Sequence, residues 1–184
     1  FDVVGVTTLF TFYWRETIDT INYAKKFCSK AGKIIVGGIA ASILHEIDIQ
    51  ETGIQPIRGL LNKPGMIDAD SDVIIDELPL DYSILEEIDY QYPAKNAYLA
   101  YMTRGCPRKC SFCAVPHLEP EYKDYIRLKE QIQLATERFG PQKDLLLMDN
   151  NVFASNHFDK IIDEIKECGF EREATYTPES EYGI

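Results

Sequence analysis

A β-branched run, a helical stripe and a second apolar run follow one another within the first 36 residues, and this restricts the fold more than any other feature. Phe1-Asp2-Val3-Val4-Gly5-Val6-Thr7 has the composition of a buried parallel strand. Ile18, Ile21, Ala24 and Cys28 then recur at spacings of three or four, predicting a helix that ends near Gly32. Lys33-Ile34-Ile35-Val36 is the next strand, closed by Gly37-Gly38. Parallel strands need a crossover between them, and a helix of this length supplies it, so the pattern is the βαβ unit of a doubly wound, Rossmann- or flavodoxin-like α/β domain. Ile54 to Leu61 is a further apolar piece, restricted by Pro56 to an edge strand or an irregular segment.

The pattern lapses over 62–95, where Lys63-Pro64-Gly65, Asp68 to Asp72, Leu78-Pro79-Leu80 and Tyr92-Pro93 give punctuation and acid without long periodicity. This is the expected connector, with Tyr82, Leu85 and Ile88 packing it onto a neighbour. A second strand–helix–strand–helix series begins at 96. Ala97 to Met102 reads as a strand, Leu128 to Phe139 as a helix with Ile132, Ala135 and Phe139 on one face, and Asp144 to Met148 as a buried strand. Asp149-Asn150-Asn151 forms the loop at its carboxyl end. Phe158, Ile161, Ile162, Ile165 and Cys168 make the stripe of a helix that Gly169 terminates, and Ala174 to Thr177 starts another strand. The expected domains are therefore 1–61, a connector at 62–95, and 96–184.

Composition narrows the function classes. The chain has 184 residues, 45% of them apolar, which excludes a disordered polypeptide. A net charge of −11 argues against a general binder of nucleic acids or anionic membrane surfaces. No stretch approaches the ~20 apolar residues that cross a bilayer, and no signal peptide is visible. The chain opens at Phe1 within a strand-like run and closes at Tyr182-Gly183-Ile184 without a capping signal, the expectation for a piece of a longer, cytoplasmic protein.

Three of the five cysteines fall within eight residues, in Thr103-Arg104-Gly105-Cys106-Pro107-Arg108-Lys109-Cys110-Ser111-Phe112-Cys113. An odd count in so tight a group does not fit a secreted disulfide framework. Thiolates spaced x3 and x2 can converge on one soft metal centre, zinc or iron–sulfur. Gly105 lets the chain turn out of the preceding strand, and Arg104, Arg108 and Lys109 place positive charge beside the thiols.

This segment resembles the CxxxCxΦC signature of the radical S-adenosylmethionine superfamily, with Phe112 as the aromatic. The resemblance implies a partial (β/α) TIM-type barrel of which 96–184 holds the first βα units, since a whole barrel takes around 250 residues. It implies that Cys106, Cys110 and Cys113 hold a [4Fe-4S] cluster whose fourth iron binds the amino and carboxylate groups of S-adenosylmethionine, and that Phe112 contacts the adenine side. It also implies a flavodoxin- or ferredoxin-type reductant. The loop after the second barrel strand, often Gly-Gly-Glu in that family, reads Asp149-Asn150-Asn151 here. Asn150 and Asn151 are the corresponding cofactor-binding candidates, and both side chains can bond an amino or carboxylate group. Both loops follow predicted strands, where ligand sites of parallel α/β folds lie. Asp2 to Thr7 and Val36 to Ser42 resemble the later strands of cobalamin-binding-type domains, which commonly precede such a barrel. Their Asp-x-His-x-x-Gly motif is absent here, and whether cobalamin binds stays open.

A different class of function competes for the same cysteines. His117 lies four residues after Cys113, so a zinc-stabilised Cys3His module without catalysis is the alternative. Gly37-Gly38 reads at least as readily as a tight strand-to-helix turn as a cofactor-approach loop, Cys28 and Cys168 read as small core residues, and the acidic stretch 68–89 as a solvated face rather than a divalent-metal site. Tyr82, Tyr90, Tyr92, Tyr98 and Tyr101 lack interleaved bases and read as packing rather than base stacking. His45 and His157 have no partner visible in the sequence.

Overall fold

The computed structural model describes residues 1–170 apart from 86, 88, 91 and 93, and apart from the side chains of 84 and 85. The chain is a mixed α/β protein that divides into two units, one of Phe1–Glu77 with Cys110–Pro120, the other of Leu78–Lys109 with the chain from Glu121 onward. Among the described residues each carries a two-stranded parallel sheet, and they form no closed barrel. None of their helices is long and apolar enough to cross a membrane.

In the first unit β1 (Val3–Thr8) pairs in parallel with β2 (Lys33–Gly38), and α1 (Trp14–Ala24) connects them. The helical stripe is buried as its spacing predicts: Ile18, Ile21 and Ala24 face inward, and Ile21 and Ala24 join Val6, Val36 and Ala41 in one core. The glycine pair belongs to β2, and Gly38 makes the tight turn into α2 (Ile39–Ile43). Its φ is +104°, and a Cβ there would lie 2.2 Å from the Thr8 carbonyl oxygen, so only glycine fits. The Thr8 hydroxyl donates to the Gly37 carbonyl and accepts from the Ala41 amide, fixing the turn from the neighbouring strand.

A third helix, α3 (His45–Thr52), has no counterpart in the sequence reading, and Ile54–Leu61 is not a strand. Single bonds hold that segment instead: the Ile57 amide donates to the Val36 carbonyl and the Gly59 amide to the Ser42 hydroxyl. Pro56 has no amide to extend these into a ladder. Asp68, Asp70, Asp72, Asp81 and Asp89 face solvent, as a solvated acidic stretch requires.

In the second unit β3 (Ala97–Ala100) pairs in parallel with β4 (Asp144–Leu147), with α5 (Leu128–Phe139) between them in the chain. α6 (Phe158–Glu167) follows β4. Ala100, Met102, Leu128 and Ile161 form the core, with Ile132, Ile165 and Cys168 packed against it. Of the tyrosines, Tyr82 lies against Phe139 and accepts the Leu99 amide on its hydroxyl, and Tyr98 is buried and bonded to Thr136. Tyr90 and Tyr92 stand exposed, edge to face with each other. Ile88, the Leu85 side chain and Ala174–Thr177 lie outside the described residues.

The buried Glu164 carboxylate on α6 closes the start of α5. It accepts the Leu128 and Lys129 amides at 3.0 and 3.1 Å and the Tyr125 hydroxyl at 2.7 Å. Burial first, and the Glu164 carboxylate second, push the Tyr125 phenol up to about 12. The fold thus favours the neutral phenol over an unfolded-chain value of about 10. Its contribution to stability is complete below about pH 10 and is lost as pH rises through 12. A tyrosinate absorbance titration is expected to show a late step that Tyr125→Phe removes; a wild-type curve without that step disproves the shift.

Candidate functional site

The cysteine loop leaves β3 by way of two fully buried residues, Met102 and Thr103. Neither continues the sheet. The Asp149 carboxylate, just beyond β4, takes their amides: Met102 N–H at 3.1 Å to each oxygen and Thr103 N–H at 2.5 Å. It also takes the Thr103 hydroxyl at 2.6 Å. One residue earlier, the Gln131 amide of α5 pairs with both backbone groups of Tyr101, accepting at 3.0 Å and donating at 2.7 Å. Side chains therefore replace a neighbouring strand at the point where the chain turns toward Cys106.

The opposite edge is lined by main chain. Arg104 and Lys123 exchange both backbone bonds at 3.0 Å in an antiparallel bridge, and the Ile126 amide donates to the Met102 carbonyl. The Arg104 guanidinium lies 4.1 Å over the Tyr101 ring. This pairing brings Tyr122 in beside the loop. Its hydroxyl is buried without a hydrogen-bond partner among the described residues, and burial, then the charges of Asp124, Cys106 and Asp149, push the phenol up. A buried hydroxyl without a partner is unusual and marks a place where a bound group would be satisfied.

Cys106 is half-buried, and the Asn151 side-chain amide donates to its sulfur at 3.6 Å. Asn150 is exposed. Cys110 and Cys113 belong to the segment counted with the first unit, where the Cys113 amide donates to the Cys110 carbonyl at 3.0 Å. Phe112 between them is 90% exposed. His117 is exposed on the short helix α4 (Val115–Leu118). All five cysteines are free thiols. Among the described residues no group of three or more His, Cys, Asp or Glu side chains is gathered closely enough to hold a metal ion, neither the three cysteines alone nor the set with His117. The donor chemistry nonetheless fits a thiophilic cluster: three uncrosslinked thiols, the first already accepting an amide hydrogen bond of the kind that surrounds ligating sulfur.

Sequence reasoning placed the cysteines and the Asp149 loop but missed Tyr122, the clamp from Asp149 and the partner of His157. That partner is Asp124, 3.2 Å from the imidazole. The remaining histidine, His45, is on α3 with a buried Nδ1 that has no hydrogen-bond partner among the described residues, three residues from the buried Asp48. Burial pushes the Asp48 carboxyl up, with His45 opposing.

Fold and site together define an α/β protein with a thiol-bearing loop beyond the carboxyl end of a parallel strand. No protein-family model matches the chain. It is 25% identical over 185 aligned residues to the ribosomal protein uS12 methylthiotransferase RimO in each of two strains of Leptospira biflexa serovar Patoc, over 90% of this chain. The chain spans about 40% of the length of those relatives.

Proposed function

We propose that this chain is part of a radical S-adenosylmethionine enzyme, with Cys106, Cys110 and Cys113 as the ligands of a [4Fe-4S] cluster. The observation that carries the reading is the spacing of three free thiols directly beyond β3, in the loop that Asp149 fixes to β4. The distant likeness to a methylthiotransferase supports it. In this reading 1–61 is a cobalamin-binding-like domain, 62–95 a connector and 96–184 the opening of the barrel.

When bound, the cluster supplies the electron that cleaves S-adenosylmethionine to methionine and a 5′-deoxyadenosyl radical. The protein's own side chains bind and orient. Phe112, exposed, offers its ring to the adenine. Asn150 and Asn151 offer amide groups to the amino and carboxylate ends of the methionine moiety. The Tyr122 hydroxyl offers a donor that the described residues leave unused. A flavodoxin- or ferredoxin-type protein delivers the electron. The reading extends to this cleavage and not to a named substrate.

Anaerobic reconstitution of the full-length protein tests it. Uptake of about four irons per chain, lost in Cys106→Ala, together with release of 5′-deoxyadenosine under reductant, is the expected result. Tight stoichiometric zinc with no iron uptake overturns it in favour of a Cys3His module.

A further inference from the structure

We propose that Asn151 sets the reduction potential of the cluster by donating its side-chain N–H to the sulfur of Cys106, an inference that rests on the reading of Cys106 as a cluster ligand. The contact is 3.6 Å from Nδ2 to Sγ and joins residues 45 apart in the chain.

Both partners sit on backbone that is held in place. On one side, the Met102 and Thr103 amides are bonded to the Asp149 carboxylate, and Arg104 is bridged to Lys123 two residues before the thiol. On the other, Asn151 follows that same Asp149 by two residues. Its backbone is extended, at φ −163°, and its carbonyl accepts the Ala154 amide at 3.1 Å, starting the single turn Val152–Ala154. The carboxylate that anchors the thiol's segment therefore also anchors the amide's, and the distance between them is set by one shared clamp. A surface asparagine meeting sulfur by chance has no such support.

The consequence follows from charge. Reduction adds one negative charge to the cluster and spreads part of it onto the ligating sulfurs. A fixed N–H dipole aimed at one of those sulfurs stabilises the reduced state more than the oxidised one, so the potential rises. Cys106 and Asn151 are both half-buried, where water screens the dipole less than at a free surface. An amide suits the position because it is neutral: it favours reduction without adding a full charge. The carbonyl oxygen of the same group remains an acceptor for an amino group, so this role does not displace the one proposed above.

The test is a redox titration of the reconstituted full-length protein, followed by the electron paramagnetic resonance of the reduced cluster, with Asn151→Leu and Asn151→Asp beside wild type. Leucine keeps the volume and removes the donor. Aspartate keeps the shape and adds negative charge. The expected result is a reduced-to-oxidised ratio in Asn151→Leu lower by about tenfold at fixed potential, equal to about 59 mV for one electron, with Asn151→Asp lower still. Coincident titration curves overturn the proposal. So does a cluster that assembles in wild type and in neither variant, because a bond that only tunes the couple is not needed for assembly. A wild-type protein that takes up no iron sinks the ligand assignment first, before any variant is measured.

Discussion

Asp149→Ala is expected to cost the second unit about 3–5 kcal/mol. The carboxylate accepts two buried amides and a buried hydroxyl, from Met102 and Thr103, both 0% exposed. Removing it leaves three donors of buried residues without their acceptor, at about 1–3 kcal/mol each before relaxation. Asp149→Asn keeps the shape but turns one oxygen into a donor facing donors, so about half of the loss is expected to remain. Denaturant unfolding measures the total. Amide exchange locates it: Met102 and Thr103 are expected to exchange roughly a hundredfold to a few thousandfold faster in the alanine variant, since every ~1.4 kcal/mol is tenfold. A loss under about 1 kcal/mol, or unchanged exchange at those two amides, refutes the clamp.

This clamp explains what was and was not legible in the sequence. The parallel pairs and their crossover helices were legible because apolar period alone sets them: Ile21 and Ala24 of α1, and Ile161 of α6, occupy the core positions their spacing predicts. α3 was not, because its inner face carries Asp48 and Thr52, polar residues that are buried. The expected strand Ala97 to Met102 ends at Ala100. Its continuation has strand-like composition but gives its amides to Gln131 and Asp149, and composition cannot show where a backbone amide goes. The cysteine spacing was visible because all three thiols lie within eight consecutive residues. The contacts around it, Asp149 to Thr103 and Asn151 to Cys106, span 46 and 45 residues and exist only once β3 and β4 pair.

The same logic of a side chain serving distant backbone makes Glu164→Ala the second large effect, about 2–4 kcal/mol. α5 begins at Leu128 with no cap of its own, since Arg127 before it makes no side-chain bond to the helix amides. Four amides at any helix start lack partners within the helix. Glu164, 36 residues on, accepts the first two of this one and brings negative charge to the positive end of the helix dipole. It also satisfies the Tyr125 hydroxyl at the edge of the core that holds Leu128 and Ile161. Glu164→Gln retains one acceptor oxygen and loses the charge, and is expected to recover roughly half of the loss. Glu164→Ala combined with Tyr125→Phe separates the two contributions. If the carboxylate mainly serves the phenol, the double variant costs little more than Tyr125→Phe alone; if it mainly caps α5, the double variant costs at least as much as Glu164→Ala alone. The direct hydrogen bond between the two residues makes the losses less than additive, by about 0.5–3 kcal/mol, but capping keeps the double variant well below Tyr125→Phe in stability, because the two amides stay orphaned whether or not the phenol remains.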